Sequence, residues 1–174
     1  MRKFLFITTV ALAGWTTAAL AGNPATISVT VTIQNLSVSA TGAIAFGTVV
    51  SGSETVSGSP STVTNDGNVV ETYSLSLTNP SGWTAVQAAP ASEQYALLAE
   101  FNAAAPAAAS FSYGNHALST ASVASTASTF AGDQNGASVA VSATRSLWFR
   151  FNAPTTTAVT TTQSITVTIT AAAG

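Results

Sequence analysis

Cysteine is absent from this 174-residue chain, histidine occurs once, and charged residues make up only 6%. Each absence closes off a class of function. Without cysteine there is no disulfide, no thiol nucleophile and no thiolate for zinc, and His116 alone cannot build a tetrahedral zinc site. Lysine is confined to Lys3, so a Lys–Asn isopeptide crosslink has no amine farther along. Beyond residue 3 the only strong bases are Arg145 and Arg150, against six carboxylates running from Glu54 to Asp133. Nucleic-acid binding rests on clustered Lys and Arg that neutralise phosphates, so that class is excluded. Anionic membrane surfaces are disfavoured for the same reason.

Catalysis has little to work with. His116 sits in Tyr113-Gly-Asn-His116-Ala and reads as a loop or strand-edge residue; no GxSxG occurs, and the carboxylates show no pairing. No enzyme is expected, and neither catalytic nor cofactor-binding residues are assigned. Calcium is the one ion worth weighing. Asn65-Asp66-Gly67-Asn68 and Asp133-Gln134-Asn135-Gly136 carry oxygen donors in tight turns. A calcium loop of the EF-hand kind adds further carboxylates and a distant Glu, which neither turn has, so metal-free turns are expected.

The N-terminus reads as a secretory signal peptide. Arg2 and Lys3 precede an apolar stretch from Phe4 to Ala13, and Ala19-Leu20-Ala21 places cleavage before Gly22. The apolar run is interrupted at Gly14, Thr16 and Thr17, too short for a spanning helix of ~20 residues. Removing residues 1–21 leaves 153, a size suited to one domain over 22–174. The processed chain then has a net charge of −4, no transmembrane segment, and an exported destination: extracellular, cell-surface or periplasmic. So little charge weakens self-repulsion and favours association.

What fills the sequence instead is Ser, Thr, Ala and Val in alternation. Ile27-Ser-Val29-Thr-Val31-Thr-Ile33 is apolar at every odd position, the period-two signature of a strand. The register slips at Asn35, after which Leu36, Val38 and Ala40 carry the apolar side. Short strands are predicted around Ile44 and Phe46, around Val63, and over Tyr73, Leu75 and Leu77. Tyr95 to Phe101 has mixed spacing that fits strand or short helix, and Phe111 and Tyr113 suggest another strand. Leu147, Phe149 and Phe151 share one face with Trp148 and Arg150 on the other; Ile165, Val167 and Ile169 form a last strand. Turn clusters at Gly58-Ser-Pro60, Asn65–Asn68, Asn79–Gly82 and Gly132–Gly136 separate them. Eight to ten such strands predict an all-β, single-domain sandwich of immunoglobulin-like or jelly-roll type.

Ile44-Ala-Phe46-Gly47-Thr-Val49, then Gly52, then Val63-Thr-Asn65-Asp-Gly67 resembles the opening of a Hydin-type immunoglobulin-like domain. Leu147 to Pro154 and Ile165 to Thr170 resemble the last two strands of such domains, and the resemblance implies a β-sandwich. Residues 84–138 match no part of that pattern. A looser likeness is to spore coat protein U-type pilins and camelysin-like fibre subunits. These share a leading alternating strand, an FG strand and a Thr-rich last strand. The pilins typically have a cysteine near the FG strand, where this chain has none.

Two functions are consistent with these features. The first is a structural subunit of a fibre, matrix or adhesive layer, working by self-association or contact with other surface proteins. Its candidate donor-strand residues are Ile27, Val29, Val31 and Ile33, able to pair with a neighbour's sheet edge or to form the domain's own first strand. The second is a module binding carbohydrate or protein, with Trp83, Trp148 and Tyr113 as candidate contact residues for a glycan. Thr30/Thr32 and Thr166/Thr168/Thr170 could form a hydroxyl array, although Thr is also simply favoured on exposed strand faces.

Overall fold

The Tyr73-Ser-Leu75-Ser-Leu77 alternation produces a strand with one dry face: β4 (Glu71–Thr78) buries every odd residue through Leu77 and turns the even ones outward. Eight further strands complete the fold of the computed structural model, which describes residues 25–174. In chain order they are β1 (Val38–Thr41), β2 (Glu54–Val56), β3 (Ser61–Asn65), β5 (Thr84–Ala85), β6 (Gln94–Phe101), β7 (Val123–Ala124), β8 (Thr144–Asn152) and β9 (Thr166–Ala173). The signal-peptide assignment lies outside the described residues. The chain divides into two units, 1–32 and 33–174; in the first, residues 25–32 are exposed and join no strand.

The larger unit is a two-sheet β-sandwich. One sheet runs β1-β3-β8-β6-β5, with β2 also pairing β8; the other is β7-β4-β9. All pairs are antiparallel except β5 with β6. Tyr73, Leu75 and Leu77 of the smaller sheet meet Leu97, Phe101, Leu147, Phe149 and Phe151 of the larger, forming the main core.

β6 and β8 are dry on both faces, which explains the mixed spacing at Tyr95–Phe101. Ala96, Leu98 and Trp148 point away from the sandwich interior into a second cluster closed by Phe111 and Ala117. A strand covered on both sides loses its alternation and reads as a continuous apolar run. The cover comes from residues 102–118. Phe111 and Tyr113, expected in a strand, instead lie in a loop and in a single helical turn, α1 (Tyr113–His116). His116 is buried there, its Nδ1 accepting the Ser112 N–H at 3.0 Å, so this stretch folds as a lid over the sheet.

The Val63-Thr-Asn65-Asp-Gly67 motif has a structural reason. Asn65 is fully buried, and its amide donates to Val69 O and Val139 O, each at 2.9 Å. Its Oδ1 accepts the Gly67 N–H at 2.9 Å. A Cβ at Gly67 would collide with the Glu71 carboxylate and the Asn35 carbonyl, so only glycine fits this approach. Glu71 Oε1 in turn accepts the Ser37 N–H at 2.7 Å. The first strand begins after this knot, at Val38, rather than at Ile27. The alternation of 27–33 is sound strand chemistry, but a strand needs a partner edge, and residues 25–32 have none among the described residues.

Candidate functional site

The sandwich is open along one side. Among the described residues β9 is an edge strand that pairs only with β4, and β1 is the edge of the facing sheet. Between β1 and β2 the chain passes through residues 42–51 without entering either sheet. The result is a groove of about 1130 Å³ between the sheets. Ile44, Phe46 and Val49 line one side, Phe149 and Phe151 the floor, and Ile165, Val167 and Ile169 the side formed by β9. Among the described residues no charged side chain lines it.

Aromatic packing closes one end. Phe46 lies 5.5 Å from Phe151 between ring centroids, Trp83 lies 6.0 Å from Phe151, and Tyr95 stacks on Phe151 at 5.9 Å. Trp83 Nε1 donates to Thr157 Oγ1 at 2.9 Å, and the Thr157 hydroxyl donates to Glu93 at 2.6 Å. That hydroxyl, with the Ala158 N–H, holds the Glu93 carboxyl below its ordinary value. Thr160 to Gln163 continue the rim with uncharged polar groups.

The three aromatic contact candidates do not converge. Trp148 is 7% exposed and donates from Nε1 to Asn102 O at 2.9 Å, which leaves no ring face for a sugar. It was expected as a contact residue, but its place on the covered outer face of β8 buries it. Trp83 belongs to the groove end. Tyr113 borders a separate pocket of about 320 Å³ with Glu54 and Asn152, and its hydroxyl accepts from Asn152 Nδ2 at 2.7 Å. Beside it Arg150 stacks over Phe111 and Tyr113 at 5.7 and 5.8 Å and lies 3.5 Å from Glu54, an ion pair that spacing along the chain did not reveal.

The donor-strand candidates are the most exposed large apolar side chains among the described residues: Ile27 88%, Val29 80%, Val31 79% and Ile33 76%. In the turns weighed for calcium, three side-chain oxygens are taken by backbone N–H groups. Asn65 Oδ1 accepts from Gly67 N, Asp133 Oδ1 from Ala103 N, and Asn135 Oδ1 from Ala137 N. Thr166, Thr168 and Thr170 face outward on β9, opposite Thr78, Ser76 and Ser74 of β4. Sequence reasoning placed Ile44, Phe46, Val167 and Ile169 on strands. It did not find that they flank an opening, because periodicity gives a residue's face and not what covers it.

Among the described residues no helix is long and apolar enough to cross a membrane. Comparison with family models, with curated proteins and with solved structures returns no match. The fold and the groove define an all-β sandwich with an open, uncharged side.

Proposed function

We propose that this chain is an exported, non-catalytic structural subunit that assembles at the cell surface or outside the cell through its β-sheet surfaces. The observation that supports this reading most is the uncharged groove, lined by apolar and hydroxyl side chains, bordered by an edge of β9 that pairs with no other described strand. Covering the apolar side chains in that groove is favourable, and an open strand edge supplies main-chain groups to whatever covers it. With so few charges on the chain, little repulsion opposes contact between copies.

Sedimentation velocity and electron microscopy of the processed protein test the proposal. Concentration-dependent assemblies are expected, and they should persist at high salt, because screening weakens charge contacts and leaves apolar ones intact. A monomer at every concentration overturns it. A second reading, a glycan-binding module, is favoured by the pocket beside Tyr113, where an aromatic ring stands next to the polar groups of Glu54 and Asn152. A glycan array comparing the native protein with Tyr113→Ala tests that reading, and silence from both sinks it.

A further inference from the structure

We infer that the pocket beside Tyr113 seats one neutral sugar ring, the terminal residue of a glycan chain. The inference rests on the glycan-binding reading and names what that site takes: a single pyranose with adjacent free hydroxyls.

The pocket is built on paired strands. Glu54 of β2 lies directly opposite Asn152 of β8, so both side chains stand on the same face of the sheet. Arg150, two residues back on β8, shares that outer face and packs under the lid against Phe111 and Tyr113. Tyr113 of α1, Ala89, Pro90 and Thr155 complete the lining.

The hydrogen-bonding groups of the pocket are unevenly used. Asn152 is 8% exposed, and its Nδ2 donates to the Tyr113 hydroxyl at 2.7 Å. Its Oδ1 is buried and has no partner among the described residues, an acceptor that a ligand hydroxyl would satisfy. Because the Tyr113 oxygen already accepts from Asn152, its own proton is free to be donated. Glu54 Oε2 lies 3.5 Å from Arg150 Nη1, and the Glu54 side chain is 52% exposed, so Oε1 stays open to a second donor.

Two acceptors and one donor select the ligand. A sugar hydroxyl both donates and accepts, so adjacent hydroxyls can donate to Asn152 Oδ1 and Glu54 Oε1 while one of them accepts from Tyr113. An ammonium group has no lone pair for the Tyr113 proton, and Arg150 already balances the Glu54 charge. A carboxylate or phosphate group would meet the Glu54 carboxylate and bring no donor for it. The pocket's volume of about 320 Å³ is at the low end of the roughly 300–1,000 Å³ of small-molecule sites, room for one ring and not for a run of them. The glycan is therefore held by its end.

Amide shifts of the protein, followed by NMR, test this as methyl glycosides of glucose, galactose and mannose, and separately glucuronic acid, are added. At least one glycoside should bind with millimolar affinity and move the amides of residues 52–54, 113 and 152–155. Glucuronic acid should bind far more weakly. Glu54→Ala should weaken glycoside binding about tenfold. Tyr113→Phe keeps the ring and loses the proton; it should weaken binding severalfold, and it carries the test should Glu54→Ala fail to fold. Shifts confined to other residues, equal binding of glucuronic acid, or unchanged affinity in the folded variants overturns the assignment. So does a glycan array on which the native protein binds while all three glycosides leave the pocket amides unmoved; the glycan-binding reading then stands with a different site. Silence in both array and titration removes both.

Discussion

Phe46 packs against Phe151 with 5.5 Å between ring centroids, joining a segment that belongs to neither sheet to the strand at the centre of the larger one. Gly47 follows with φ +66, a left-handed turn that lets the chain leave the floor immediately after the phenylalanine. The Phe46-Gly47 pair is therefore what holds the wall of the groove in place.

Phe46→Ala should cost about 2 kcal/mol of stability. This is less than the loss at a fully buried phenylalanine, because Phe46 is only half-buried. Urea denaturation measures it. The same substitution should weaken association if the groove is the contact surface proposed above, since the wall it anchors borders that groove. Unchanged association alongside the stability loss would show that this wall plays no part in contact.

Asn65→Ala should be more damaging, by about 2–4 kcal/mol, because Val69 O, Val139 O and Gly67 N lose their partner together. Asn65→Asp should rescue little. Its carboxylate can still accept from Gly67 but cannot donate to either carbonyl. Denaturation midpoints of the two variants check both statements, and a near-native Asn65→Asp would mean the two donated bonds contribute little.

The parts of this fold that were legible in the sequence are those where one face is wet. β4 and β9 announce themselves by alternation because every second side chain is turned toward solvent, whereas the Leu147-Phe149-Phe151 face of β8 is legible by its aromatic spacing although Trp148 and Arg150 between them are buried. β6 was ambiguous because Ala96 and Leu98 are covered by the 102–118 lid, whose own course has no period to read. That lid is set by distant hydrogen bonds, such as Trp148 Nε1 to Asn102 O and Arg150 to Ala108 O at 2.6 Å. The candidate site was half legible. Ile27 to Ile33 stood out by its alternation, whereas the groove is made of residues that look like ordinary core. An opening is a property of what is missing beside a strand, and no local pattern encodes it.

Tyr73 and Tyr95 give the protein an alkaline limit. Burial pushes both phenols up to about 12, and for Tyr73 the neighbouring Glu71 adds to the effect. A phenol raised in the folded state is neutral there and ionises more readily when unfolded. The stability it contributes is complete below its unfolded value of 10 and is lost as the pH climbs toward 12. Denaturation midpoints should therefore fall between those two values, with phenolate absorbance rising in step with unfolding. Tyr95→Phe removes one of the two groups, together with its bond to Asn79 Oδ1 at 3.1 Å, and should shallow the decline.

Trypsin offers a readout of global opening. Beyond residue 3 its only cleavage positions are Arg145 and Arg150, both on β8, which is hydrogen-bonded to β2, β3 and β6. Arg150 is 6% exposed, donates to Ala108 O, and stacks on the rings of Phe111 and Tyr113. Arg145 Nε donates to Asn135 O at 3.0 Å. Neither bond can reach a protease while β8 stays paired, so cleavage should track the population of the unfolded state. Native protein should survive digestion that cuts the urea-unfolded chain at both sites, and Asn65→Ala should be cut faster in proportion to its lost stability. Cleavage of the native chain at Arg150 at the unfolded rate would show that β8 opens locally, without the rest of the sandwich.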